Sequence, residues 1–211
     1  MKAVIVSGGK EPSRNLLLHY IKNANLIIGA DKGCEVLYKY NIIPDYILGD
    51  FDSANPEAIE ALEKKALNKI KYNSEKDYTD TELAYNLAIE KNSNEVILLG
   101  ATGTRYDHSL SNFGIMLKGL KNNVIVKVID DNNKIFLTDK PILLKGKKGD
   151  IISFQAYCNE VKNFTIKGAK YNLNNYTLKL GDGITTSNEF LEENISISFD
   201  SGIIMVLYTN D

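Results

Sequence analysis

The feature that most constrains this chain is an alternation that fills roughly its first 130 residues and then stops. Short apolar runs at Ala3–Ser7, Leu26–Ala30, Tyr46–Gly49, Lys69–Tyr72, Glu95–Gly100 and Val124–Ile129 read as buried strands. Between them lie segments with helical spacing. Glu57–Ala66 carries an apolar stripe of Ala58, Ile59, Ala61 and Leu62 behind Pro56, which suits a first helical position. Thr79–Lys91 places Leu83, Ala84, Leu87 and Ala88 on one face, and Thr79 with Glu82 has capping-box spacing. Asp107–Leu120 predicts an N-cap at Asp107 and a buried face of Leu110, Phe113, Gly114 and Leu117. Repeated strand–helix units predict an α/β fold, with a mostly parallel N-terminal sheet flanked by helices.

After Pro141 the period changes. Asp150–Tyr157, Glu160–Lys167, Tyr176–Leu180, Ile195–Phe199 and Ile203–Tyr208 read as strands, separated by glycine-rich turns. Ile195, Ile197 and Phe199 alternate with Ser196 and Ser198, the period of a half-buried strand. The expectation is an α/β domain over residues 1–135 and an all-β sandwich over residues 136–211, divided within the stretch 130–142.

Composition excludes several classes. With 25 Lys+Arg against 27 Asp+Glu, the net charge of −2 is wrong for a general nucleic-acid binder. The longest apolar stretches fall far short of a membrane helix, which needs about 20 residues. No secretory leader is evident, and two isolated cysteines, Cys34 and Cys158, fit a reducing compartment. Both cysteines read as small packing residues, and the expected location is cytoplasmic.

In a parallel sheet the carboxyl ends of the strands share one edge, where open α/β sheets bind ligands. On that edge fall Asp31, Asp50 with Asp52, Asp77 with Asp80, and the segment Thr102-Gly103-Thr104-Arg105. Carboxylates gathered this way repel one another unless a cation intervenes, and a divalent metal is the economical answer. In Gly49-Asp50-Phe51-Asp52-Ser53, an extended chain points Asp50 and Asp52 to the same side, so both can reach one ion. Magnesium takes a few carboxylates and fills its remaining positions with water and substrate phosphate. In Lys76-Asp77-Tyr78-Thr79-Asp80-Thr81-Glu82, Asp80 serves either metal or helix dipole, whereas Asp77 precedes the cap and has no such structural reason. In Gly100-Ala101-Thr102-Gly103-Thr104-Arg105-Tyr106-Asp107-His108, a glycine turn enters a helix N-terminus, a ready phosphate site, with the Arg105 fork beside it. His108 is either a phosphate-side residue or a neutral, locally bonded one. Ser7-Gly8-Gly9 adds a second small-residue loop. His19, among leucines, reads as packing or surface.

These three motifs, with Gly29-Ala30-Asp31-Lys32-Gly33 upstream, resemble thiamin pyrophosphokinases in order and spacing. Thr186-Ser187-Asn188-Glu189-Phe190 resembles that family's Ser-Asn segment near thiamin. The resemblance implies an α/β domain followed by a β-sandwich, and a homodimer with thiamin near the interface. It implies attack of the thiamin hydroxyl on the β-phosphorus of ATP, giving AMP and thiamin diphosphate, with Mg2+. Carried over, Asp50, Asp52 and Asp80 hold the metal, Asp31 and Asp77 complete the acidic edge, and either of the latter two takes the hydroxyl proton. Arg105 and His108 lie near the phosphates, and Ser187 and Asn188 near thiamin. The chain departs from the family pattern at Thr104 and Cys34, where glycine is common. It also lacks tryptophan, so Phe190 or one of the 12 tyrosines stands in against the thiamin rings, or that contact is absent. The competing classes are another magnesium-dependent phosphate enzyme and a nucleotide-binding module without turnover.

Overall fold

The structure is a computed structural model that describes residues 1–52, 54–66, 68–73 and 77–210. Ser53 and Lys76, members of two of the motifs, lie outside the described residues. The chain divides into two compact units, Met1–Asp131 and Asn132–Asp211.

The first unit runs β1 (Lys2–Val6), α1 (Arg14–Ile21), β2 (Leu26–Ala30), α2 (Gly33–Lys39), β3 (Tyr46–Gly49), α3 (Pro56–Glu63), β4 (Asn68–Lys71), α4 (Asp80–Glu90), β5 (Glu95–Leu99), α5 (Tyr106–Lys121) and β6 (Ile125–Ile129). The strands pair in parallel in the order β6-β5-β1-β2-β3-β4. Val4 and Val6 face a core that holds Leu17 of α1, Leu37 of α2, and Ile59 and Leu62 of α3. Ala3 and Ile5 therefore point to the opposite face. There α4 packs on β1, β2 and β3, and α5 packs on β6 and α4. Helices thus cover both faces, as the alternation predicts.

The local signals act largely as read. Asn55 caps α3 by accepting from Glu57 N at 2.9 Å, with Pro56 in the first turn. Thr79 caps α4, its hydroxyl accepting from Glu82 N at 3.2 Å. The second half of the capping box is missing, because the Glu82 carboxylate accepts from Lys118 of α5 instead. Helix α2 was not foreseen; it is short, and its apolar residues Cys34, Val36 and Leu37 are all buried.

Two expectations about α5 are wrong. Its N-cap is Arg105, with no side-chain cap bond, and Asp107 sits in the first turn. The buried residues are Ser109, Asn112, Ile115, Met116 and Gly119, while Leu110 is 67% exposed. The helix is rotated from the hydrophobic stripe because Gly119 lets it seat on Val126. A Cβ at Gly119 would overlap the Val126 side chain. Two polar residues are buried on the same face and find partners, Asn112 on the Ala101 carbonyl and Ser109 on the Arg105 carbonyl.

The second unit is all β: β7 (Asn133–Thr138), β8 (Ile142–Lys145), β9 (Ile151–Ala156), β10 (Val161–Lys167), β11 (Leu173–Leu178), β12 (Asn188–Glu189), β13 (Asn194–Ser198) and β14 (Ile204–Thr209). Antiparallel pairing gives β12-β9-β14-β7 and β11-β10-β13-β8. One cluster contains Phe154, Ile204 and Val206 from the first sheet with Phe164, Ile166, Ile195 and Ile197 from the second. The two sheets therefore share one core, as in a sandwich. Strands β7 and β8, not read as strands from sequence, fall in and beside the stretch taken as the divide, with Asp139, Lys140 and Pro141 between them. Phe190 is fully buried and stacks on Tyr208 at 6.0 Å. It cannot present a ring to a ligand, which corrects that reading.

Two glycines of α5 test the observed face. A Cβ at Gly114 meets nothing within 4 Å. Gly114→Ala is expected to stabilise the chain by about 0.5–1 kcal/mol through helix propensity and unfolded-state entropy. Gly119→Ala overpacks and is expected to cost roughly 1–3 kcal/mol. Urea denaturation of both variants checks the order, and the reverse order would restore the face read from sequence.

Candidate functional site

The strand order reverses between β1 and β5: from β1 the chain builds outward through β2, β3 and β4, then returns to add β5 and β6 on the other side. At such a switch point the loops leaving the two central strands diverge and open a crevice. Here those loops are Ser7–Lys10 and Gly100–Arg105. They line a cavity of about 850 Å³ together with Lys32, Thr81, Tyr106, His108, Ser109 and Asn112.

The two loops are held together by the backbone. Ser7 N donates to Leu99 O at 2.8 Å, Gly9 N to Gly100 O at 2.7 Å and Lys10 N to Thr102 O at 2.6 Å. This close approach requires glycine. A Cβ at Gly9 would overlap the carbonyl oxygen of Thr102, and one at Gly100 (φ 62°) that of Ser7. The β1 loop is also tied to α4, since Thr81 Oγ1 donates to Ser7 Oγ at 2.9 Å in a buried bond. Thr102 Oγ1 donates to Asp130 Oδ2 at 3.0 Å. Thr104 causes no strain, because the left-handed backbone falls at Gly100 and not at Thr104.

Arg105 lies at the cavity mouth. Its Nε donates to Asp107 Oδ1 at 3.2 Å and its Nη2 to Asp107 Oδ2 at 2.6 Å. The guanidinium, followed by the His108 N–H, holds the Asp107 carboxyl at about 2, below the usual carboxylate range. The pair therefore stays ionised at any pH above roughly 4, where an unperturbed aspartate also ionises. A guanidinium has five N–H donors, so the pairing leaves Nη1 available to an anion. Lys10 and Lys32 supply further positive charge on the cavity wall. His108 lines the same cavity in the first turn of α5.

The acidic candidates lie at the carboxyl ends of β2, β3 and β4. Asp31 is half-buried with Oδ1 shielded from solvent, and its N–H donates to Leu48 O at 2.8 Å. Gly49 lies directly against Asp31, where an added Cβ would stand 3.2 Å from the Asp31 Cα. Asp50 is half-buried and Asp52 exposed. The premise that Asp50 and Asp52 share a side along extended chain fails. Phe51 has φ 61° and Asp52 N donates to Asp50 Oδ1 at 3.1 Å, so the segment is a turn. A bulky residue in the left-handed region is a strained conformation of the kind that clusters at functional sites. Asp80 opens α4 beside Thr81, and Asp77 is exposed ahead of the cap. Asp31 and Asp80 both act on Cys34: burial foremost, then Asp31, Glu35 and Asp80, push its thiol pKa up, leaving a neutral packing residue. Cys158, by contrast, is exposed and does not pack.

Among the described residues, no group of three or more His, Cys, Asp or Glu forms a ready metal cage. None of the acidic candidates is among the described residues that line the cavity. The donor set nevertheless suits magnesium chemically: hard carboxylate oxygens and no thiolate or imidazole, for an ion that takes one or two carboxylates plus water and phosphate.

Ser187 and Asn188 belong to the second unit. Ser187 has φ 55° and its N–H donates to Ser153 Oγ at 2.9 Å. Asn188 is 1% exposed, and its amide is engaged: Oδ1 accepts from Tyr171 N at 3.0 Å and Nδ2 donates to Tyr171 O at 2.8 Å. Its visible effect is to fix the backbone of Tyr171, whose side chain stands exposed. Lys10, Lys32, Thr81 and Asn112 were missed from sequence. Lys10 directly follows Ser7-Gly8-Gly9, and Lys32 and Thr81 stand inside two of the motifs, so of the four only Asn112 carried no local signal.

A parallel sheet with paired glycine loops at its switch point defines a phosphate- or nucleotide-handling α/β protein. Comparison with known proteins narrows the class. The family model for the thiamin pyrophosphokinase catalytic domain matches residues 17–128, and that for its vitamin B1 binding domain matches residues 138–204. A thiamine pyrophosphokinase of Bacillus subtilis (strain 168) is 35% identical over 214 residues, covering 100% of both chains. A crystal structure of thiamine pyrophosphokinase from Bacillus subtilis superimposes with a TM-score of 0.90 at 33% identity over 100% of each chain. A thiamin pyrophosphokinase family protein from Enterococcus faecalis gives 0.87 at 26% identity, again over 100% of each. The chain belongs to the thiamin pyrophosphokinase family.

If the cavity takes a polyphosphate, Arg105→Ala should weaken ATP binding at least ~tenfold by equilibrium dialysis, the loss of one charge-assisted contact. Arg105→Lys should recover only part of it, because lysine lacks the fork. Unchanged affinity in both variants would remove Arg105 from the site.

Proposed function

We propose that this chain transfers the pyrophosphoryl group of ATP to the hydroxyl of thiamin at the crevice between the β1 and β5 loops, releasing AMP and thiamin diphosphate. The observation that carries the reading is the cavity at the strand-order reversal, walled by Ser7–Lys10 and Gly100–Arg105. Backbone held by glycine can approach phosphate closely, and the N-terminus of α5 favours negative charge. Lys10, Lys32 and Arg105 bind and orient the polyphosphate, and His108 lies beside it. Such transfers depend on positioning and charge neutralisation more than on covalent help from the protein.

Asp50, Asp52 and Asp80 are the residues that would hold Mg2+, with Asp31 and Asp77 completing the acidic edge. Held there, the ion would supply charge neutralisation and polarisation of the phosphate oxygens. Arg105 offsets the negative charge that develops on the phosphate oxygens during transfer. Asp31 or Asp77 accepts the hydroxyl proton of thiamin. In this reading residues 1–135 handle ATP and metal, and residues 136–211 bind thiamin. Ser187 and Asn188 belong to the thiamin side, Asn188 through the backbone of Tyr171, whose exposed ring replaces the missing tryptophan. The active form is a cytoplasmic homodimer with thiamin near its interface. No helix among the described residues is long and apolar enough to cross a membrane.

The test is AMP formation from ATP with thiamin present or omitted, and with magnesium present or chelated. AMP is expected only when both thiamin and magnesium are present. Release of inorganic phosphate without thiamin would instead favour a phosphatase-like reaction. Asp50→Asn is expected to abolish turnover with an unchanged thermal midpoint, and near-normal AMP release from the folded variant would sink the metal assignment. Sedimentation equilibrium at the mass of one chain would remove the homodimer.

A further inference from the structure

The cavity has a buried polar side chain on its wall that the reaction itself does not call for. Asn112, on the inner face of α5, is 6% exposed, and its Nδ2 donates to Ala101 O at 2.7 Å. A carbonyl only accepts, so the atom facing Ala101 is the amide nitrogen. The neighbouring carbonyls are held from the other side: Gly100 O accepts from Gly9 N and Thr102 O from Lys10 N. Three consecutive carbonyls of the β5 loop are thereby pinned, the outer two by the β1 loop and the middle one by α5. In a trans peptide the N–H points opposite to the C=O of the same plane. Fixing the Ala101 carbonyl on Asn112 therefore fixes the direction of the Thr102 N–H, in a loop that lines the cavity.

We propose that Asn112 is a positioning residue for this cavity: it locks the 101–102 peptide so that the β5 loop is preorganised for the polyphosphate of the donor nucleotide. The inference rests on the reading of the cavity as a phosphate site and extends it to a residue that acts only through the loop. An unlocked peptide would rotate among orientations, and each encounter with the polyphosphate would have to order it again. Burying a polar side chain in a helix face that could hold a leucine makes sense where the bond it forms is required.

Asn112→Asp removes the donor with nearly unchanged shape, and the uncharged Asn112→Leu, also without a donor, must show the same loss, which separates a lost lock from repulsion of phosphate by the new carboxylate. Two readouts are taken: calorimetric affinity for inorganic tripolyphosphate, and steady-state kinetics with ATP and thiamin varied separately. The expected result is a loss of at least ~tenfold in tripolyphosphate affinity and in kcat/KM for ATP, as for a lost buried hydrogen bond. The KM for thiamin is expected to stay within about twofold, the split that separates positioning from general unfolding. Wild-type tripolyphosphate affinity in a folded Asn112→Asp variant would overturn the proposal, as would parallel changes in both KM values. Should Asn112→Asp not fold, Asn112→Ser and Asn112→Ala form the second pair, alike in size but differing in a hydroxyl donor. Retention of several-fold higher tripolyphosphate affinity by the serine variant supports the proposal, and equality overturns it. The two readings fail separately. A wild-type chain that binds tripolyphosphate but makes no AMP refutes the reaction, while the variant affinities still decide the role of Asn112.

Discussion

The structure of the first unit depends on one constraint: the backbone of the β1 loop must lie against the backbone of the β5 loop. The reversal of strand order brings the two loops side by side. The bonds Ser7 to Leu99, Gly9 to Gly100 and Lys10 to Thr102 then extend the ladder beyond the end of the sheet. Gly9 and Gly100 make this possible, since a side chain at either would collide with a carbonyl of the other loop. Everything proposed for phosphate binding follows from that contact. It shapes the cavity, sets the entry of α5 and places Arg105 at the mouth. The polar residues buried around it, Ser7, Thr81 and Asn112, each spend their hydrogen bonds on holding the loops in place.

Much of this was legible in the sequence because it rests on periodicity and punctuation. The strands of the first unit lie within a residue of the apolar runs at every end. Thr79 caps α4 and Pro56 opens α3, as helix-start chemistry requires. The carboxyl-edge argument located Arg105, His108 and the Ser7-Gly8-Gly9 loop correctly on one cavity, since parallel topology fixes the edge before any side chain is placed.

What was not legible was decided by tertiary contact. The stripe of Leu110, Phe113, Gly114 and Leu117 made a better hydrophobic face on paper than the one α5 buries. The helix instead seats Gly119 on Val126 and turns Asn112 inward toward Ala101. No hydrophobic count reveals that two polar residues will be buried because a loop carbonyl waits for one of them. Phe190 looked like a ligand aromatic by its neighbours in sequence, yet it fills the sandwich core under Tyr208. Asp50 and Asp52 looked like an extended pair, yet Phe51 at φ 61° folds them into a turn. The link from Asn188 to Tyr171 was equally hidden, since only the fold brings that amide onto the Tyr171 backbone.

The central claim is that the paired glycine loops at the strand-order reversal are where the donor phosphates bind. Backbone amide resonances of the isotopically labelled chain, titrated with a non-reacting ATP analogue in magnesium, test it most directly. The account predicts that the largest shifts fall on residues 7–10 and 100–108, with smaller ones at Lys32 and Thr81. Saturable shifts confined to other strand ends or to the second unit, with these amides unmoved, would contradict it.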